Sequence, residues 1–222
     1  MAFDSAAFAA QCHVADVPAF LRGCDRFYEL LIEANRSVNL TRITEPSAFR
    51  IKHIADSLAV AREFPEIARE PLRIADLGCG AGFPSVVLAL AFPRLLLTAI
   101  DSTGKKAAFV ERAARGLGLK NLRVVRGRGC ELNRKPEFRR KFDIVTARAV
   151  GAAANVVLEV SEFVKRPSGR FLLYKTPAQA AGDLEALKIA CRGWPIQWSV
   201  TSEFELPEGA GTRVFLVSRW NG

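Results

Sequence analysis

The sequence predicts an α/β fold: a mainly parallel sheet with helices on both faces, preceded by a helical segment and followed by an antiparallel strand pair. Three observations predict it. From residue 72 onward, short apolar runs alternate with helical patterns, the order of a parallel α/β sheet. The first run leads into a turn with Gly78, Gly80 and Gly82. The last two runs, 197–206 and 212–218, are β-rich and flank a Pro/Gly turn, which predicts an antiparallel pair.

The first 70 residues are predicted to be helical. Apolar residues recur with a helical period over 17–31, and the polar segment 35–41 breaks that period as a loop would. Thr44 is expected to cap a second helix that has Pro46 in its first turn and ends near residue 65.

This second helix carries His53, Asp56 and Ser57. His and Asp three residues apart share a helix face. A hydroxyl four residues from the imidazole on the same helix points past the ring, so a nucleophilic triad is not expected. We expect a hydrogen-bonded interior or interface cluster instead.

The remaining elements follow from alternating apolar runs and helical patterns. We expect a helical extension over 1–70 and a core over 71–222, packed together as one compact domain. Residues 131–140 are polar and basic and are expected to form a short helix or a loop. Strands are predicted at 72–77, 95–100, 122–125, 142–146 and 170–174, and helices at 85–91, 105–117, 152–163 and 178–190.

The glycine turn and the following acid indicate a nucleotide-type cofactor. Glycines accept positive φ and allow a ligand to approach the backbone closely, and Pro84 suits the first turn of the next helix. Asp101 ends the second apolar run about twenty residues later, where nucleotide folds place a carboxylate on ribose hydroxyls. With Asp76 at the end of the first strand, these residues predict a cofactor cradle. A glycine-rich turn without a ligand is the alternative.

Composition narrows the class of protein. No apolar run has the length of a membrane span, and the N-terminal segment carries Asp4 and no basic residue, which is atypical of a signal peptide. The five cysteines are scattered without a C-x-x-C pair, and there are only two histidines. We therefore expect no disulfide framework, no metal site and no membrane association, and a reducing cytoplasm as the location.

The net charge of +9 is concentrated in one stretch. Residues 105–148 hold fourteen Lys or Arg and four acids, a net charge of +10, whereas the rest of the chain has eighteen basic and nineteen acidic residues. A solvated surface is the ordinary explanation of a charge run. A localised excess beside a cofactor acid also predicts a polyanionic partner, with nucleic acid as the first candidate.

The glycine spacing helps to choose the cofactor. A doubly wound sheet fits a nicotinamide dehydrogenase or an S-adenosylmethionine methyltransferase. A dinucleotide fold uses G-x-G-x-x-G, so that a helix N-terminus receives the pyrophosphate, whereas residues 78–82 have G-x-G-x-G. S-adenosylmethionine has no pyrophosphate and needs only the close turn, and the terminal antiparallel pair is also typical of the methyltransferase core.

Six segments resemble the bacterial 16S rRNA guanine-N7 methyltransferase family (RsmG, formerly GidB). They span most of the chain in the family's order. The resemblance implies a class I, Rossmann-like methyltransferase fold with an N-terminal helical segment. It also implies S-adenosylmethionine as methyl donor and the guanine at nucleotide 527 of the small-subunit rRNA as acceptor. The segments are NLT at 39–41, HIADSL at 53–58, DLGCGAGFP at 76–84, DSTGKK at 101–106, GR at 127–128 and TARAV at 146–150.

The same resemblance implies that Gly78, Phe83, the pair Gly129-Cys130 and Arg148 contact the cofactor, with Arg148 near the methyl-transfer centre. The family commonly has Ala-Glu where this chain has Gly129-Cys130. A backbone contact to adenine survives this difference, and a carboxylate contact from that position does not. The rRNA processing enzyme so implied is expected to be a cytoplasmic monomer that acts on 16S rRNA or the 30S subunit.

The residues also constrain the reaction. Segment 146–149 lacks the Asp/Asn-Pro-Pro-aromatic sequence that grips exocyclic amines, and Cys79 and Cys130 are expected to be packing thiols rather than nucleophiles. Guanine N7 needs neither device, because its lone pair attacks directly and no general base is required. Arg148 is then a positioning group. Five basic residues are expected to grip rRNA phosphates: Lys105, Lys106, Arg123, Arg126 and Arg128.

Three alternatives remain open at this point. The chain could bind rRNA as a pseudo-methyltransferase that has lost the cofactor, since Gly129-Cys130 departs from the family's pattern. It could methylate another RNA or a small acidic metabolite, although the localised basic stretch argues against the metabolite. A dehydrogenase is the third, and it predicts NAD binding.

Overall fold

The computed structural model describes residues 3–221, which form an α/β fold with one mixed, mainly parallel sheet. The strand order is β3-β2-β1-β4-β5-β8-β6, with a short β7 paired to β8. The strands are β1 (Arg73–Leu77), β2 (Leu96–Asp101), β3 (Leu122–Arg126), β4 (Ile144–Arg148), β5 (Arg170–Lys175), β6 (Ile196–Val200), β7 (Phe204–Glu205) and β8 (Thr212–Trp220).

Helices precede the sheet and connect its strands. Between α3 and α4 the chain forms a π-helical turn over Arg50–Ala55, so that Pro46 to Glu63 is one helical segment. The helices are α1 (Ser5–Gln11), α2 (Val17–Asn35), α3 (Pro46–Phe49), α4 (Asp56–Glu63), α5 (Glu66–Arg69), α6 (Ser85–Ala91), α7 (Gly104–Gly116), α8 (Gly129–Leu132), α9 (Ala153–Glu159) and α10 (Pro177–Ala190).

The parallel strands bring the predicted cofactor residues to one edge of the sheet. β1 pairs with β2 on one side and β4 on the other, and all three run in the same direction. Because their carboxyl ends meet at this edge, the glycine turn, Asp101 and the segment after Arg148 become neighbours. β6 and β8 are antiparallel as predicted, and β8 lies between β5 and β6.

Both faces of the sheet are covered. The N-terminal helices share one apolar cluster with a sheet face, in which Phe27 and Phe49 pack with Val87 and Leu97. Residues of α9 and α10 cover the other face. None of the helices within residues 3–221 combines the length and hydrophobicity that a membrane span requires.

Several predicted boundaries are wrong. The run predicted over 197–206 is divided into β6 and β7. Glu45, not Thr44, caps α3, because its carboxylate accepts the N–H groups of Ser47 and Ala48 at 2.9 and 2.7 Å. β4 begins at residue 144 rather than 142. α9 ends at residue 159 rather than 163, because the chain turns at 160–163, where the carbonyls of residues 162 and 163 accept from N–H groups of 140–142.

Candidate active site

The glycine turn forms a cradle at the carboxyl end of β1. Gly78, Gly80 and Gly82 have φ values of 69°, 56° and 98°, a region that favours glycine. The N–H of Gly78 donates to the Ile100 carbonyl at 2.8 Å, which ties the turn to β2. A Cβ on Gly78 would lie 2.4 Å from Val150 Cγ2, so both backbone conformation and space require glycine there.

Asp101, at the end of β2, organises this turn. Its buried carboxylate accepts the N–H of Gly80 at 2.9 Å and the N–H of Thr103 at 2.7 Å. A carboxylate offers about four lone-pair positions, so these two bonds leave acceptor capacity for ribose hydroxyls. The residue predicted for the ribose therefore lies at the cofactor edge and also anchors the glycine turn.

Asp76 lies beneath the turn and is completely buried. Its Oδ2 accepts the Ser85 hydroxyl at 2.5 Å, and its Oδ1 has no hydrogen-bond partner within residues 3–221. Burial raises the pKa of Asp76 to about 7, and the Ser85 hydrogen bond opposes that rise. An orphaned carboxylate oxygen below a glycine cradle suits a cationic or hydrogen-bond-donating ligand group.

A pocket of 350 Å³ opens between the ends of β1, β2 and β3; we call it the β3 pocket. The predicted residues Gly78, Asp101, Arg128 and Gly129 line it. The side chain of Cys130 is exposed, and its backbone N–H faces Glu159, whose Oε1 lies 3.4 Å away. Glu159 also lines the β3 pocket, and sequence analysis had not singled it out.

A second pocket of 390 Å³, the loop pocket, adjoins the first and shares Gly78, Asp101, Ser102 and Val150 with it. The two pockets are therefore parts of one cleft over the glycine turn. The loop pocket is bounded by the segment after α2, the π-helical turn, the start of α7 and the end of β4. Its lining includes Thr41, His53, Gly80, Phe83, Lys106 and Arg148.

Arg148 is fixed by three hydrogen bonds at the end of β4. Its Nη1 donates to Asp56 Oδ2 at 2.8 Å and to the Lys52 carbonyl at 3.0 Å. Its Nη2 donates to His53 Nδ1 at 3.1 Å. Three of the five guanidinium N–H groups are thus used within the protein, and two remain. The guanidinium also lies 5.4 Å from the Phe83 ring centre.

The π-helical turn supplies these partners. In a π-turn the N–H of residue i bonds to the carbonyl of i−5, and here Asp56 N–H donates to the Ile51 carbonyl. Because the π-turn is wider than an α-helical turn, the Lys52 carbonyl is available to accept from Arg148, and His53 and Asp56 both contact the same guanidinium. Asp56 also accepts Arg213 Nε at 3.0 Å. The expected interior cluster is confirmed for His53 and Asp56.

His53 is neutral and its tautomer is determined by its partners. Burial, with a further contribution from the Arg148 charge, lowers the pKa of His53 to about 3. Arg148 can only donate, so His53 Nδ1 accepts and the ring proton resides on Nε2. Nε2–H then donates to Thr41 Oγ1 at 3.0 Å, and that oxygen also accepts the Ile43 N–H at 3.0 Å. The Thr41 hydroxyl proton is left to donate at the loop pocket.

Comparison with known proteins identifies the family. The family model described as "rRNA small subunit methyltransferase G" matches residues 21–200. The chain belongs to this family. The curated protein of that name from Streptococcus equi subsp. zooepidemicus is 37% identical over 196 residues, which cover 88% of this chain and 81% of the relative. The Geobacillus protein of the same name is 41% identical over 183 residues, 82% of this chain and 75% of the relative.

Coverage of the relatives is uneven. The Limosilactobacillus reuteri protein of the same name is 42% identical over 153 residues, and the match spans 68% of this chain and 63% of that relative.

Among solved structures, an Aquifex aeolicus SAM dependent methyltransferase has a TM-score of 0.56 at 18% identity, covering 81% of this chain and 96% of the other. Aeropyrum pernix fibrillarin with bound S-adenosyl-L-methionine has a TM-score of 0.52 at 14% identity, covering 67% and 66%.

These structures confirm the class I methyltransferase fold. The cleft fits S-adenosylmethionine, the cofactor that the sequence predicts. A Cβ at position 78 would occupy the cradle, so glycine keeps it open for a ligand. Asp101 retains acceptor capacity for hydroxyl groups. The buried Oδ1 of Asp76 has no hydrogen-bond partner within the described chain.

The predicted RNA-binding residues lie at different distances from the cleft. Lys106 lines the loop pocket and Arg128 lines the β3 pocket. Arg126 packs against Gly104, and Lys105 is exposed beside it. The predicted position of Arg123 near the carboxyl ends of the strands is wrong. Arg123 lies at the start of β3, away from the carboxyl edge, with its guanidinium 5.8 Å from the Phe138 ring centre.

Sequence reasoning missed two residues of this cleft, Thr41 and Glu159. Thr41 belonged to a segment that carried the family resemblance, and its bond to His53 gave a signal only once the loop and the helix were in contact. Glu159 lies at the end of a helix that is shorter than predicted, so no sequence signal placed its carboxylate beside the turn between β3 and α8.

Proposed function

We propose that this protein transfers a methyl group from S-adenosylmethionine to N7 of a guanine in 16S rRNA, the guanine at nucleotide 527 by family resemblance. The observation that carries the proposal is the cleft over the glycine turn. Its β3 pocket is lined by Gly78 and Asp101, and its loop pocket is lined by Arg148 and the buried neutral His53. S-adenosylmethionine supplies an electrophilic methyl group on a sulfonium.

The cofactor would be held by residues that the sequence predicted. The backbone of Gly78, Gly80 and Gly82 would let the cofactor approach closely, and the Asp101 carboxylate would accept hydrogen bonds from the ribose hydroxyls. Asp76 lies below the turn, and Phe83 and Arg148 line the loop pocket, with the guanidinium 5.4 Å from the Phe83 ring centre. Gly129 and Glu159 line the far end of the β3 pocket, and the backbone N–H of Cys130 faces Glu159.

Attack by a ring nitrogen agrees with the pairing of the possible bases around Arg148, where the Asp56 carboxylate accepts from both Arg148 and Arg213. The N7 lone pair forms a bond to the methyl carbon as the carbon–sulfur bond breaks, and no proton has to leave. His53 cannot serve as a base, because its Nδ1 lone pair is held by Arg148 and its Nε2 carries a proton. Catalysis then rests on proximity and alignment, which supply about 7–11 kcal/mol when geometry is held well.

Positive charge around the loop pocket supports a polyanionic acceptor. Lys106 lines it directly. On the other side of Arg148, a pocket of 310 Å³ is lined by Lys52, Lys175 and Arg213, and also by Asp56. Lys175 is paired with Asp183 and Arg213 with Asp56, so part of this positive charge is neutralised within the protein. Phosphates on either side of a splayed guanine would be attracted to Lys106 on one side of Arg148 and to Lys52 on the other.

The division into a helical extension, 1–70, and a methyltransferase core, 71–222, remains a prediction. The N-terminal segment provides Thr41 and His53 to the loop pocket, and its Asp56 binds Arg148, so we propose that the extension helps to hold the acceptor. We further propose that the protein works as a monomer in the cytoplasm on 16S rRNA or the 30S subunit.

Methylation by the purified protein tests the proposal. With radiolabelled donor, label should enter 16S rRNA, either free or within 30S subunits. Label confined to protein or small molecules would contradict it. A protein that binds rRNA but not S-adenosylhomocysteine in calorimetry would be a pseudo-methyltransferase instead.

A paired variant tests the RNA surface. Replacing both Lys105 and Lys106 by Ala should lower the salt dependence of rRNA binding by about one to two in log–log slope, because up to two phosphate contacts are lost. Cofactor affinity should not change. Lys188→Ala is the matched control, since Lys188 is an exposed α10 residue paired with Glu185 at 2.7 Å. Equal slopes for all three proteins would remove this surface from the RNA site.

A further inference from the structure

The far end of the β3 pocket contains an acid that comes from a distant part of the chain. Glu159 is the last residue of α9, and it reaches the turn between β3 and α8. The N–H of Cys130 lies 3.4 Å from Glu159 Oε1, a long hydrogen bond. This places a backbone donor beside a carboxylate whose residue lines the pocket.

Gly129 makes room for this arrangement. Its φ is not in the left-handed region, so backbone conformation does not require glycine here. The space beside it is tight instead: a Cβ would lie 2.6 Å from Val160 Cγ1, 2.9 Å from Glu159 Cγ and 3.0 Å from Glu159 Oε1. The absence of a side chain at 129 therefore lets the end of α9 approach the turn.

The Glu159 carboxylate is free to bind a ligand. Within residues 3–221 no Lys, Arg or His forms a salt bridge with it, and the long contact from Cys130 is its hydrogen bond. An ionised carboxylate accepts at about four positions, so most of its capacity is open to the pocket. Cys130 contributes only its backbone, because its side chain is exposed.

We propose that Glu159 recognises the adenine of the cofactor by accepting a hydrogen bond from its exocyclic amino group, while the Cys130 N–H donates to the neighbouring ring nitrogen. This rests on the proposed function. Adenine presents a donor beside an acceptor on this edge, and the protein presents an acceptor beside a donor. Asp101, at the opposite side of the pocket, takes the ribose. A hypoxanthine ring inverts both groups, so the same pair rejects it.

Binding of two ligands that differ only at this edge tests the proposal. Calorimetry would measure S-adenosylhomocysteine and S-inosylhomocysteine with the wild type and with Glu159→Ala. Loss of a charge-assisted hydrogen bond should weaken the adenine ligand about tenfold or more. The hypoxanthine ligand should bind E159A as well as, or better than, the wild type. The preference for adenine should therefore collapse.

Further variants separate recognition from fold. Glu159→Gln keeps the size of the side chain if E159A is poorly folded, and it should also reduce the preference for adenine. Gly129→Ala should push Glu159 away and reproduce the selective loss. Glu131→Ala, an exposed acid on α8 outside the pocket lining, is the matched control and should leave both affinities unchanged.

The outcomes distinguish this proposal from the proposed function. A wild-type protein that binds neither ligand would overturn both. A wild-type protein that prefers adenine by the same factor as E159A and E159Q would overturn only the assignment of Glu159. Equal weakening of both ligands in E159A would also overturn it, because that result indicates a structural role.

Discussion

Replacing Asp76 by Asn should make the protein more stable at neutral pH and should leave stability near pH 4 almost unchanged. Asp76 is completely buried with one oxygen unpartnered, so its ionised form is costly in the folded protein. Asn has nearly the same shape and keeps an oxygen to accept the Ser85 hydroxyl. The substitution therefore removes the charge without leaving a cavity.

The magnitude follows from the pKa of Asp76. Burial raises it from 3.8 to about 7, and each unit corresponds to about 1.4 kcal/mol. The folded state binds the Asp76 proton more tightly than the unfolded state does. The resulting gain in unfolding free energy is therefore fully present below pH 4 and is lost as pH rises through 7. The wild type should lose about 4 kcal/mol of unfolding free energy over that range relative to D76N.

His53 affects the pH dependence of the unfolding free energy in the opposite direction. Burial lowers its pKa from 6.5 to about 3, so its contribution is lost as pH falls from 6.5 towards 3. The slopes from Asp76 and His53 therefore oppose each other between pH 4 and 6.5. The difference between D76N and the wild type isolates Asp76, because His53 is present in both proteins.

Urea denaturation, followed by tryptophan fluorescence at several pH values between 4 and 8, measures this difference. The gap in unfolding free energy should grow with pH in favour of D76N. Ser85→Ala removes the hydrogen bond that lowers the pKa, so the midpoint of the pH dependence should move upward. A gap that does not change with pH would refute the reasoning.

Three further changes have defined outcomes. Gly78→Ala should abolish S-adenosylhomocysteine binding in calorimetry, because a Cβ would meet Val150 at 2.4 Å, whereas Gly182→Ala, in open space on α10, should stabilise the fold by about 0.5–1 kcal/mol. Thr41→Val should cost about 1–3 kcal/mol in urea denaturation by leaving the His53 Nε2–H without an acceptor, and Thr41→Ser should restore it. Asp101→Asn should weaken S-adenosylhomocysteine and speed hydrogen exchange at the Gly80 amide; unchanged binding would remove Asp101 from the site.

The sheet and its cofactor edge could be predicted because each depends on local sequence. Alternating apolar runs and helices determine a parallel sheet, and the glycine turn and Asp101 follow their strands directly. The predicted helices 85–91 and 178–190 agree with α6 and α10 within one residue. Such features need no knowledge of distant contacts.

Features that depend on distant contacts could not be predicted. The π-helical turn is held by Arg148, which lies 96 residues from Lys52 in the chain. α9 ends early because residues 162 and 163 bond to the segment before β4. Glu159 approaches Cys130 across 29 residues, and Arg123 lies at the wrong end of its strand for the cleft.

Mapping the methylated nucleotide tests the central claim most directly. After reaction with S-adenosylmethionine, 16S rRNA and 30S subunits would be treated for strand scission specific to N7-methylguanine, and the cut would be located by primer extension. The account predicts one new cut, at guanine 527, which is absent without the protein. Methyl label in the RNA without any such cut would contradict it.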